Sequence, residues 1–408
     1  MTLQRAIVVY DYGFINGGAA QVAIASALAL QRAGVRVDYF CAVGPVAPSF
    51  QDSGVRVHCL AQPDVLSDPN RLAAATRGLW NLTAAQKLRE LLETCDPRST
   101  IVHVHGWTKA LSASIFGVIE ERGIPLVTTL HEFFTVCPNG GFFDYQRQEI
   151  CTRRALGADC LTTHCDARSY AQKVWRVARL GIAQTAGRIP SGMRDVIFIS
   201  ALSRQLLEPY FPSTTRWHSV RNPVEIEAQP RARAEDNRRF LFVGRLSPEK
   251  GAELFAAAAV AAGVPARIVG DGELRASIAG RFPSVESLGW LKPAEVCREI
   301  RACRALVFPS VWYETQGLVV QEALANGVPV IVADRTAARE AVRDGHNGLL
   351  FQQGDQASLT SAFLRLADDA TVAALSHNAH TDYWSSPPTL TAHVERLLAV
   401  YGELLRAR

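Results

Sequence analysis

The chain has neither an apolar run long enough to cross a bilayer nor a strong excess of one charge. No run of about 18 apolar residues occurs within its 408 residues. Its 43 basic and 39 acidic residues give a net charge of +4, which alone indicates neither a nucleic-acid nor an acidic partner. The first apolar stretch, Ala6 to Tyr10, turns polar too soon for a secretory signal. The cytoplasm is therefore the expected compartment.

The sequence also lacks the spacing of a dinucleotide-binding loop and the cysteine pattern of a disulfide framework. Gly17 and Gly18 follow the first apolar stretch without the G-x-G-x-x-G spacing of a dinucleotide-binding loop, which disfavours a dehydrogenase. The nine cysteines are an odd number in a long chain without a signal, which favours thiols or metal ligands over a disulfide framework.

Short apolar strands alternate with helical patterns along most of the chain, and this pattern predicts an α/β fold with parallel sheets. The length predicts two or three domains. A proline-rich and then charged stretch separates two such series. We predict an amino-terminal Rossmann-like domain over 1–215 with an insertion at about 137–194, a hinge over 216–239, a second Rossmann-like domain over 240–385, and a carboxy-terminal helix over 386–408 that returns to the first domain.

The stretch from Arg304 to Asp334 predicts strand, loop, helix and strand, the pattern of a parallel crossover. Glu314 falls in the loop, at the sheet edge where such folds bind ligands, and Glu322 falls in the helix. The helix would begin near Gly317 and Leu318, whose backbone N–H groups suit a diphosphate. The two carboxylates suit sugar or ribose hydroxyls. The alternative is that Glu314 caps the helix and Glu322 is solvated.

Two more loops of the second half suit a phosphate ligand. Arg245 and Lys250 flank a predicted helix start, with Ser247 as its N-cap and Pro248 as its first residue. Two cations beside a helix amino terminus can hold two phosphates. Gly270 and Gly272 end the next strand, where glycine lets backbone approach a ligand.

In the first half, a strand delivers His131 to the carboxyl edge of the sheet, where an imidazole can bond a hydroxyl or a phosphate or share a proton. His105 ends the preceding strand and is a second candidate. Gly17 and Gly18 form either a tight turn or a close approach to a ligand. A histidine at a strand end also has a purely structural interpretation.

Four cysteines cluster in one irregular stretch, spaced C-x13-C-x8-C-x4-C. They are Cys137, Cys151, Cys160 and Cys165. One hypothesis is that they bind a structural zinc ion or an iron–sulfur cluster. The other is that they are reduced thiols without a metal.

The segment after these cysteines is basic. Eight cations lie between Cys151 and Arg194, against two acidic residues, Asp159 and Asp166. The cations are Arg153, Arg154, Arg168, Lys173, Arg176, Arg179, Arg188 and Arg194. A helix from Ser169 to Gly187 with this composition suits an anionic membrane surface or an acidic acceptor, and a solvated basic helix is the alternative. No basic motif with interleaved aromatic residues recurs, which disfavours nucleic acid.

Taken together, these motifs resemble glycosyltransferase family 4, the retaining nucleotide-sugar transferases of the GT-B fold. The resemblance rests on LFVGRLSPEKG, GDGEL, FPSVWYETQGLVVQEALANGVPVIVAD and EAVRDGHNGLLF in the second half, and on INGGAAQVAIASALALQRAGVRVDYF and TLHEFF in the first. It implies two Rossmann-like, doubly wound domains that face each other across a cleft. It also implies a role in bacterial surface-polysaccharide synthesis.

The resemblance assigns roles to residues. It implies that Arg245 and Lys250 bind the donor diphosphate, and that Glu314 and Glu322 contact the donor sugar and the ribose. His131 would lie beside the transferred sugar. The Gly17–Gly18 loop would face the phosphates and the acceptor.

The sequence also departs from the family. Gln316 replaces the usual aromatic residue and Glu132 replaces a frequent aspartate, and both changes bear on donor choice. The cysteine-rich insertion occurs in only part of the family.

The expected donor is a UDP-, GDP- or ADP-sugar, and the expected acceptor is a saccharide or a lipid-linked molecule. No cofactor is expected to be required for catalysis. The enzyme is expected in the cytoplasm, with peripheral contact to the inner membrane face. A sugar-nucleotide epimerase on the same fold and a non-catalytic nucleotide-sugar sensor are the alternatives.

Overall fold

A computed structural model describes residues 2–407. Its strands are β1 Arg5–Val9, β2 Arg36–Cys41, β3 Arg56–Cys59, β4 Thr100–Val104, β5 Leu126–Thr129, β6 Phe143–Asp144, β7 Glu149–Ile150, β8 Asp195–Phe198, β9 Arg216–Ser219, β10 Phe240–Val243, β11 Ala266–Val269, β12 Glu286–Ser287, β13 Ala305–Phe308, β14 Val330–Ala333 and β15 Gly348–Phe351. Its helices are α1 Gly18–Arg32, α2 Arg71–Leu79, α3 Leu82–Glu93, α4 Ser114–Glu121, α5 Ala158–Thr162, α6 Tyr170–Thr185, α7 Ala201–Leu207, α8 Ala252–Ala262, α9 Arg275–Arg281, α10 Pro293–Arg301, α11 Leu318–Ala325, α12 Gln356–Arg365, α13 Asp369–Ser385 and α14 Leu390–Arg406.

The chain forms two compact units. Unit 1 contains the residues up to Gly141, Arg153–Pro223 and the segment from Pro388 onward. Unit 2 contains Phe142–Thr152 and Val224–Pro387. The segment assigned to a hinge from the sequence therefore begins with strand β9, which belongs to the sheet of unit 1.

Unit 1 is built on a seven-stranded sheet in the order β3-β2-β1-β4-β5-β8-β9, and its adjacent strands pair in parallel. Strands β1 and β4 are buried along their whole length, as expected for a sheet covered on both faces. Because the strands are parallel, their carboxyl ends share one edge. Asp11, His105 and His131 follow β1, β4 and β5 at that edge.

The carboxy-terminal helix α14 belongs to unit 1. Its apolar face repeats at helical spacing, and Thr389 caps its amino terminus by accepting a hydrogen bond from the backbone of Ala392. Leu397, Val400 and Tyr401 are fully buried in the same apolar cluster as β1, β2 and α1. The helix is thus part of the core of unit 1, although it follows all of unit 2 in the sequence.

Unit 2 has a six-stranded parallel sheet in the order β12-β11-β10-β13-β14-β15. This is the doubly wound order in which ligands bind beyond the carboxyl ends of the central strands. One apolar cluster includes Phe255 of α8 and Phe363 of α12, and another includes Val320 of α11 and Tyr383 of α13. Within residues 2–407, no helix combines the length and apolar character that a membrane span needs.

Candidate functional site

In unit 2, the structure brings Lys250 and Glu314 together at the carboxyl edge of the sheet. Lys250 Nζ lies 2.6 Å from Glu314 Oε1, and Ser310 Oγ donates to the same oxygen at 3.0 Å. The ammonium of Lys250 also lies 5.2 Å from the centre of the Trp312 ring. Glu314 is 6% exposed, so the pair is an ion pair between a nearly buried carboxylate and a half-buried ammonium.

The loop that carries Glu314 is fixed by neighbouring backbone. The backbone N–H of Val311 donates to Glu249 O at 2.9 Å, and Gln353 Nε2 donates to Ser310 O at 2.9 Å. The carbonyl of Glu314 accepts from Ala337 N at 3.3 Å. Because Glu314 bonds Lys250 and Ser310 and makes no cap for α11, the helix-cap interpretation of this residue is wrong.

The loop after β10 differs from the sequence expectation. Pro248–Lys250 is a short 3-10 turn, and helix α8 begins only at Ala252, after Gly251 at a φ of 72°. The Ser247 side chain makes no cap and instead donates to Glu249 at 2.8 Å. Arg245 pairs with the same carboxylate at 2.5 Å and is largely exposed. The buried Glu249 therefore holds Arg245 beside the 3-10 turn.

Three glycines of unit 2 lie where backbone segments approach closely. A Cβ on Gly251 would lie 2.1 Å from Pro309 O, one on Gly270 would lie 1.9 Å from Gly244 O, and one on Gly272 would lie 2.4 Å from Leu246 O. All three also have positive φ values. Gly270 and Gly272 thus let the loops after β10 and β11 pack against each other, which places the Arg245 and Lys250 segment at the sheet edge.

Helix α11 begins at the predicted position. Gly317 is its N-cap residue, and the first intrahelical bonds run from Val320 and Gln321 to Gly317 O, so the N–H groups of Leu318 and Val319 precede them. Gln316 lies in the preceding loop and is partly exposed.

Burial raises the pKa of Glu322, which lies within α11. Within residues 2–407, no ion pair or side-chain hydrogen bond links this carboxylate to Lys250 or Glu314.

In unit 1, three buried histidines form a cluster at the carboxyl edge. His131 Nε2 lies 3.0 Å from His105 Nδ1, and the ring of His105 lies against that of His103 with centroids 4.0 Å apart. His103 is held by Thr129 Oγ1 and by Tyr401 OH, each at 2.7 Å. The orientation of His131 thus depends on side chains from β4, β5 and α14.

The histidine cluster is neutral near pH 7. Burial lowers the pKa of His131 to about 3, and burial also places the pKa values of His103 and His105 well below the usual range. His131 is therefore a neutral hydrogen-bonding group and a potential proton acceptor, but not a proton donor in the form of an imidazolium.

The neutral state of these histidines predicts that the stability of unit 1 depends on pH. The unfolded chain binds protons at these histidines below about pH 6.5, whereas burial in the folded chain keeps His131 neutral down to about pH 3 and holds the pKa values of His103 and His105 well below their usual range. Stability is therefore complete above pH 6.5 and is lost as the pH falls, by up to about 1.4 kcal/mol per pH unit for each histidine. Hydrogen exchange of peptides that cover β4 and β5, corrected for intrinsic rates, measures this loss.

A His105→Phe variant should lose less stability on acidification than the unaltered protein, because one buried proton acceptor is gone. His377→Gln, at an exposed position of unit 2, is the matched control and should leave the slope unchanged. Equal slopes for His105→Phe and the unaltered protein would contradict the neutral cluster.

Gly17 is the N-cap residue of helix α1, which begins at Gly18, and both glycines are exposed. A Cβ on Gly17 would meet no atom within 4 Å, so the fold itself does not require glycine there. The close approach in this loop is at Gly13 instead, where a Cβ would lie 3.2 Å from Cys41 Sγ.

The clustered cysteines are divided between the units. Cys137, Cys160 and Cys165 belong to unit 1, and Cys151 follows β7 in unit 2. Lys173 Nζ lies 3.1 Å from Cys165 Sγ and 3.5 Å from Cys160 Sγ, so these thiols contact an ammonium group. Within residues 2–407, no group of three or more His, Cys, Asp or Glu side chains is arranged to hold a metal ion. The zinc or iron–sulfur site at these four cysteines stays a prediction.

Models of two protein families match the chain. The family described as "Glycosyl transferase 4-like domain" matches residues 17–222, and "Glycosyl transferases group 1" matches residues 237–369. The chain belongs to the glycosyl transferase 4-like family. It is 30% identical to the D-inositol 3-phosphate glycosyltransferase of Thermomonospora curvata over 93% of this chain and 88% of that protein.

Other relatives match less completely. The GDP-mannose-dependent alpha-mannosyltransferase of Mycolicibacterium smegmatis is 36% identical, over 31% of this chain and 33% of its own length. The chain thus spans only about a third of that relative.

Solved structures with a similar fold include HepE of Anabaena in complex with UDP. The TM-score is 0.67 at 17% sequence identity, and the match covers 98% of this chain and 100% of the HepE chain. Sucrose-phosphate synthase of Thermosynechococcus elongatus has a TM-score of 0.70 at 18% identity, with coverage of 99% and 100%. The two parallel-sheet units and the similarity to these structures show that the glycosyltransferase has the GT-B fold.

Sequence reasoning missed several residues of this glycosyltransferase that shape its sites. Ser310 and Trp312 lie in the stretch from Arg304 to Asp334, which was selected from the sequence. Their closeness to Glu314 in the sequence could have identified them as its neighbours in the site. Tyr401, which holds His103, gave no such signal because 298 residues separate the two.

Proposed function

We propose that the protein transfers a hexosyl residue from a nucleotide sugar to a saccharide or lipid-linked acceptor, with retention of configuration, in the synthesis of a surface polysaccharide. The observation that carries this proposal is the Lys250–Glu314 pair with Ser310 at the sheet edge of unit 2. It combines a cation for phosphate with a carboxylate for hydroxyl groups, and the first N–H groups of α11 follow the same loop.

In the proposed reaction, the bond between the anomeric carbon and the diphosphate breaks, and the acceptor hydroxyl oxygen forms the new bond to that carbon. Negative charge develops on the leaving diphosphate, which takes up the hydroxyl proton. Lys250 stabilises this charge, and the N–H groups of Leu318 and Val319 add a second, uncharged contact. Each such contact contributes about 3 kcal/mol to lowering the barrier, by analogy with single donors at anion sites. Glu314 accepts a hydrogen bond from a sugar hydroxyl, and Glu322 accepts one from the ribose.

The names of similar proteins support a nucleotide-sugar donor. One relative is named for GDP-mannose, and solved HepE structures contain UDP, UDP with glucose, or UDP-glucose. Retention and the surface-polysaccharide role rest on the family resemblance alone. Contact with an anionic membrane rests on the basic composition of α6 and the segment before it.

The proposal is tested by incubating the purified protein with UDP-glucose, GDP-mannose or ADP-glucose and a panel of saccharide and lipid-linked acceptors. The expected result is an acceptor-dependent glycoside whose anomeric carbon keeps the configuration of the donor, as measured by NMR. An epimerised donor formed without acceptor would instead indicate an epimerase. Donor binding with no product in any arm would indicate a sensor.

A further inference from the structure

A cavity of about 240 Å³ opens within unit 1, and all of its lining residues belong to that unit. We call it the Lys109 cavity. Four of its lining residues are cationic and two are aromatic, and no acidic residue lines it. These residues are Arg71, Lys109, Arg176, Arg179, Phe134 and Trp175. The charge of the lining therefore suits an anion.

Three of the four cations are held in place by the protein. Arg71 Nη1 donates to Val65 O at 3.0 Å, and Arg179 Nη1 donates to Thr108 O at 2.9 Å. Arg176 lies 3.1 Å from Asp166. These contacts fix the arginines without neutralising Arg71 or Arg179, because their acceptors are uncharged carbonyls.

Lys109 differs from these arginines. Its ammonium lies 4.5 Å from the centre of the Phe134 ring, and no carboxylate within residues 2–407 lies at ion-pair distance from it. Arg179 lies over the same ring at 5.1 Å and over Trp175 at 5.2 Å. Two cations thus lie close to the same aromatic ring, Phe134, and this ring helps to hold both of them at the cavity.

The electrostatics agree with this geometry. Burial lowers the pKa of Lys109, and Arg179 and Arg176 lower it further, while Glu132 and Asp11 oppose the shift. Burial, followed by the charge of Arg176, lowers the pKa of Arg179 to about 10. The protonated forms therefore repel one another and are partly desolvated, and a bound anion would offset both effects.

The elements around the cavity also expose large apolar side chains. Leu66 lines the cavity and is 50% exposed, and Leu72, next to Arg71 on α2, is 76% exposed. On α6, Tyr170 and Val174 are exposed and lie four residues apart, on one face of the helix. An anion site bordered by apolar side chains fits a ligand with a charged headgroup and a hydrocarbon chain.

We propose that the Lys109 cavity binds the phosphate of a lipid-linked acceptor, with the chain along α2 and α6. This inference rests on the proposed sugar transfer, which it extends by naming the chemical class of the acceptor. Lys109 would contact the phosphate, with Arg179 beside it. Leu66 and Val174 would contact the first part of the chain.

The experiment measures binding of farnesyl phosphate to the full chain by calorimetry. All proteins carry Lys250→Ala, so that phosphate binding in unit 2 does not contribute. The expected result is affinity at least tenfold weaker when Lys109→Gln is added. Lys87→Gln, an exposed lysine of α3, is the matched control and should not change affinity.

Two further probes separate the sources of affinity. Glucose 1-phosphate, which lacks the chain, should bind at least tenfold more weakly than farnesyl phosphate, and farnesol, which lacks the charge, should not respond to Lys109→Gln. Equal affinity of the two phosphates would overturn the lipid assignment, and unchanged binding of farnesyl phosphate in Lys109→Gln would overturn the site. A variant that weakens binding to phosphatidylglycerol vesicles but not to farnesyl phosphate would identify a membrane contact and also overturn it.

Nucleotide-sugar binding by protein without the Lys250 substitution distinguishes the two proposals. If that protein binds no UDP-glucose, GDP-mannose or ADP-glucose, the proposed function fails, whatever the phosphate result. If the donor binds and Lys109→Gln has no effect on farnesyl phosphate, only the acceptor inference fails.

Discussion

Replacing Lys250 by alanine is expected to lower kcat/KM for sugar transfer by about 100- to 1,000-fold, the range seen when one donor is removed from an anion site. The ammonium lies 2.6 Å from Glu314 and is the cation nearest to this carboxylate in unit 2. Its removal takes away the charge that we propose stabilises the leaving diphosphate. Initial rates at varied donor concentration, with the best donor and acceptor, measure the effect.

The same substitution leaves Glu314 nearly buried without its cation, which costs stability of about 3 to 5 kcal/mol for a fully buried pair and less here, because Lys250 is partly exposed. A Lys250→Ala, Glu314→Gln double variant removes the unpaired charge. Its stability should recover toward that of the unaltered protein while transfer remains lost. Recovery of both would mean that Lys250 acts only through folding.

Lys292 provides a matched control for Lys250, since it is an exposed lysine of the same unit and precedes α10. Lys292→Ala should keep the normal rate of transfer. Near-normal turnover in Lys250→Ala would remove this lysine from the proposed mechanism.

Replacing Gly270 by alanine should destabilise unit 2 by about 3 kcal/mol or more and weaken donor binding with it. The added Cβ would lie 1.9 Å from Gly244 O, which is backbone and cannot rotate away. The φ of 141° is also unfavourable for alanine. Separation of the β10 and β11 loops would displace the segment that carries Arg245 and Lys250. Hydrogen exchange across β10 and β11, together with calorimetric titration of the donor, measures both effects.

Gly280→Ala tests whether this effect is specific. Gly280 lies in α9 of the same unit, and a Cβ there would meet no atom within 4 Å. Alanine favours helix over glycine by about 1 kcal/mol, so this variant should be unchanged or slightly more stable. Similar losses in both variants would show that the close approach at Gly270 is not the cause.

Much of the fold follows from local pattern. The runs that form β13 and β14 are apolar throughout and flanked by proline and glycine, and the helix between them has apolar spacing, so a parallel crossover is the consistent interpretation. The same regularity places Glu314 in a loop at the carboxyl edge and Glu322 in a helix, without knowledge of what either contacts.

Prediction from local sequence pattern fails where a side chain in a turn has a hydrogen-bond partner other than the one that the pattern assigns to it. Ser247 and Pro248 have the sequence of a helix start, yet Ser247 bonds the buried Glu249 and the chain forms a 3-10 turn before α8. The buried carboxylate of Glu249 needs hydrogen-bond donors, and Ser247 serves as one of them instead of capping a helix. The burial of Glu249 cannot be predicted from the spacing of residues in the sequence.

The sequence by itself indicated two α/β series with parallel strands and a resemblance to a glycosyltransferase family. It also placed His131 and Glu314 after the carboxyl ends of strands. These depend on hydrophobic periodicity and on short motifs, which are local. Only the tertiary structure decided that Lys250 pairs with Glu314, that Tyr401 holds His103, and that Lys109 shares an aromatic ring with Arg179. The two bonded pairs are 64 and 298 positions apart, and Lys109 and Arg179 are also distant in the sequence, so only the folded chain brings these side chains together.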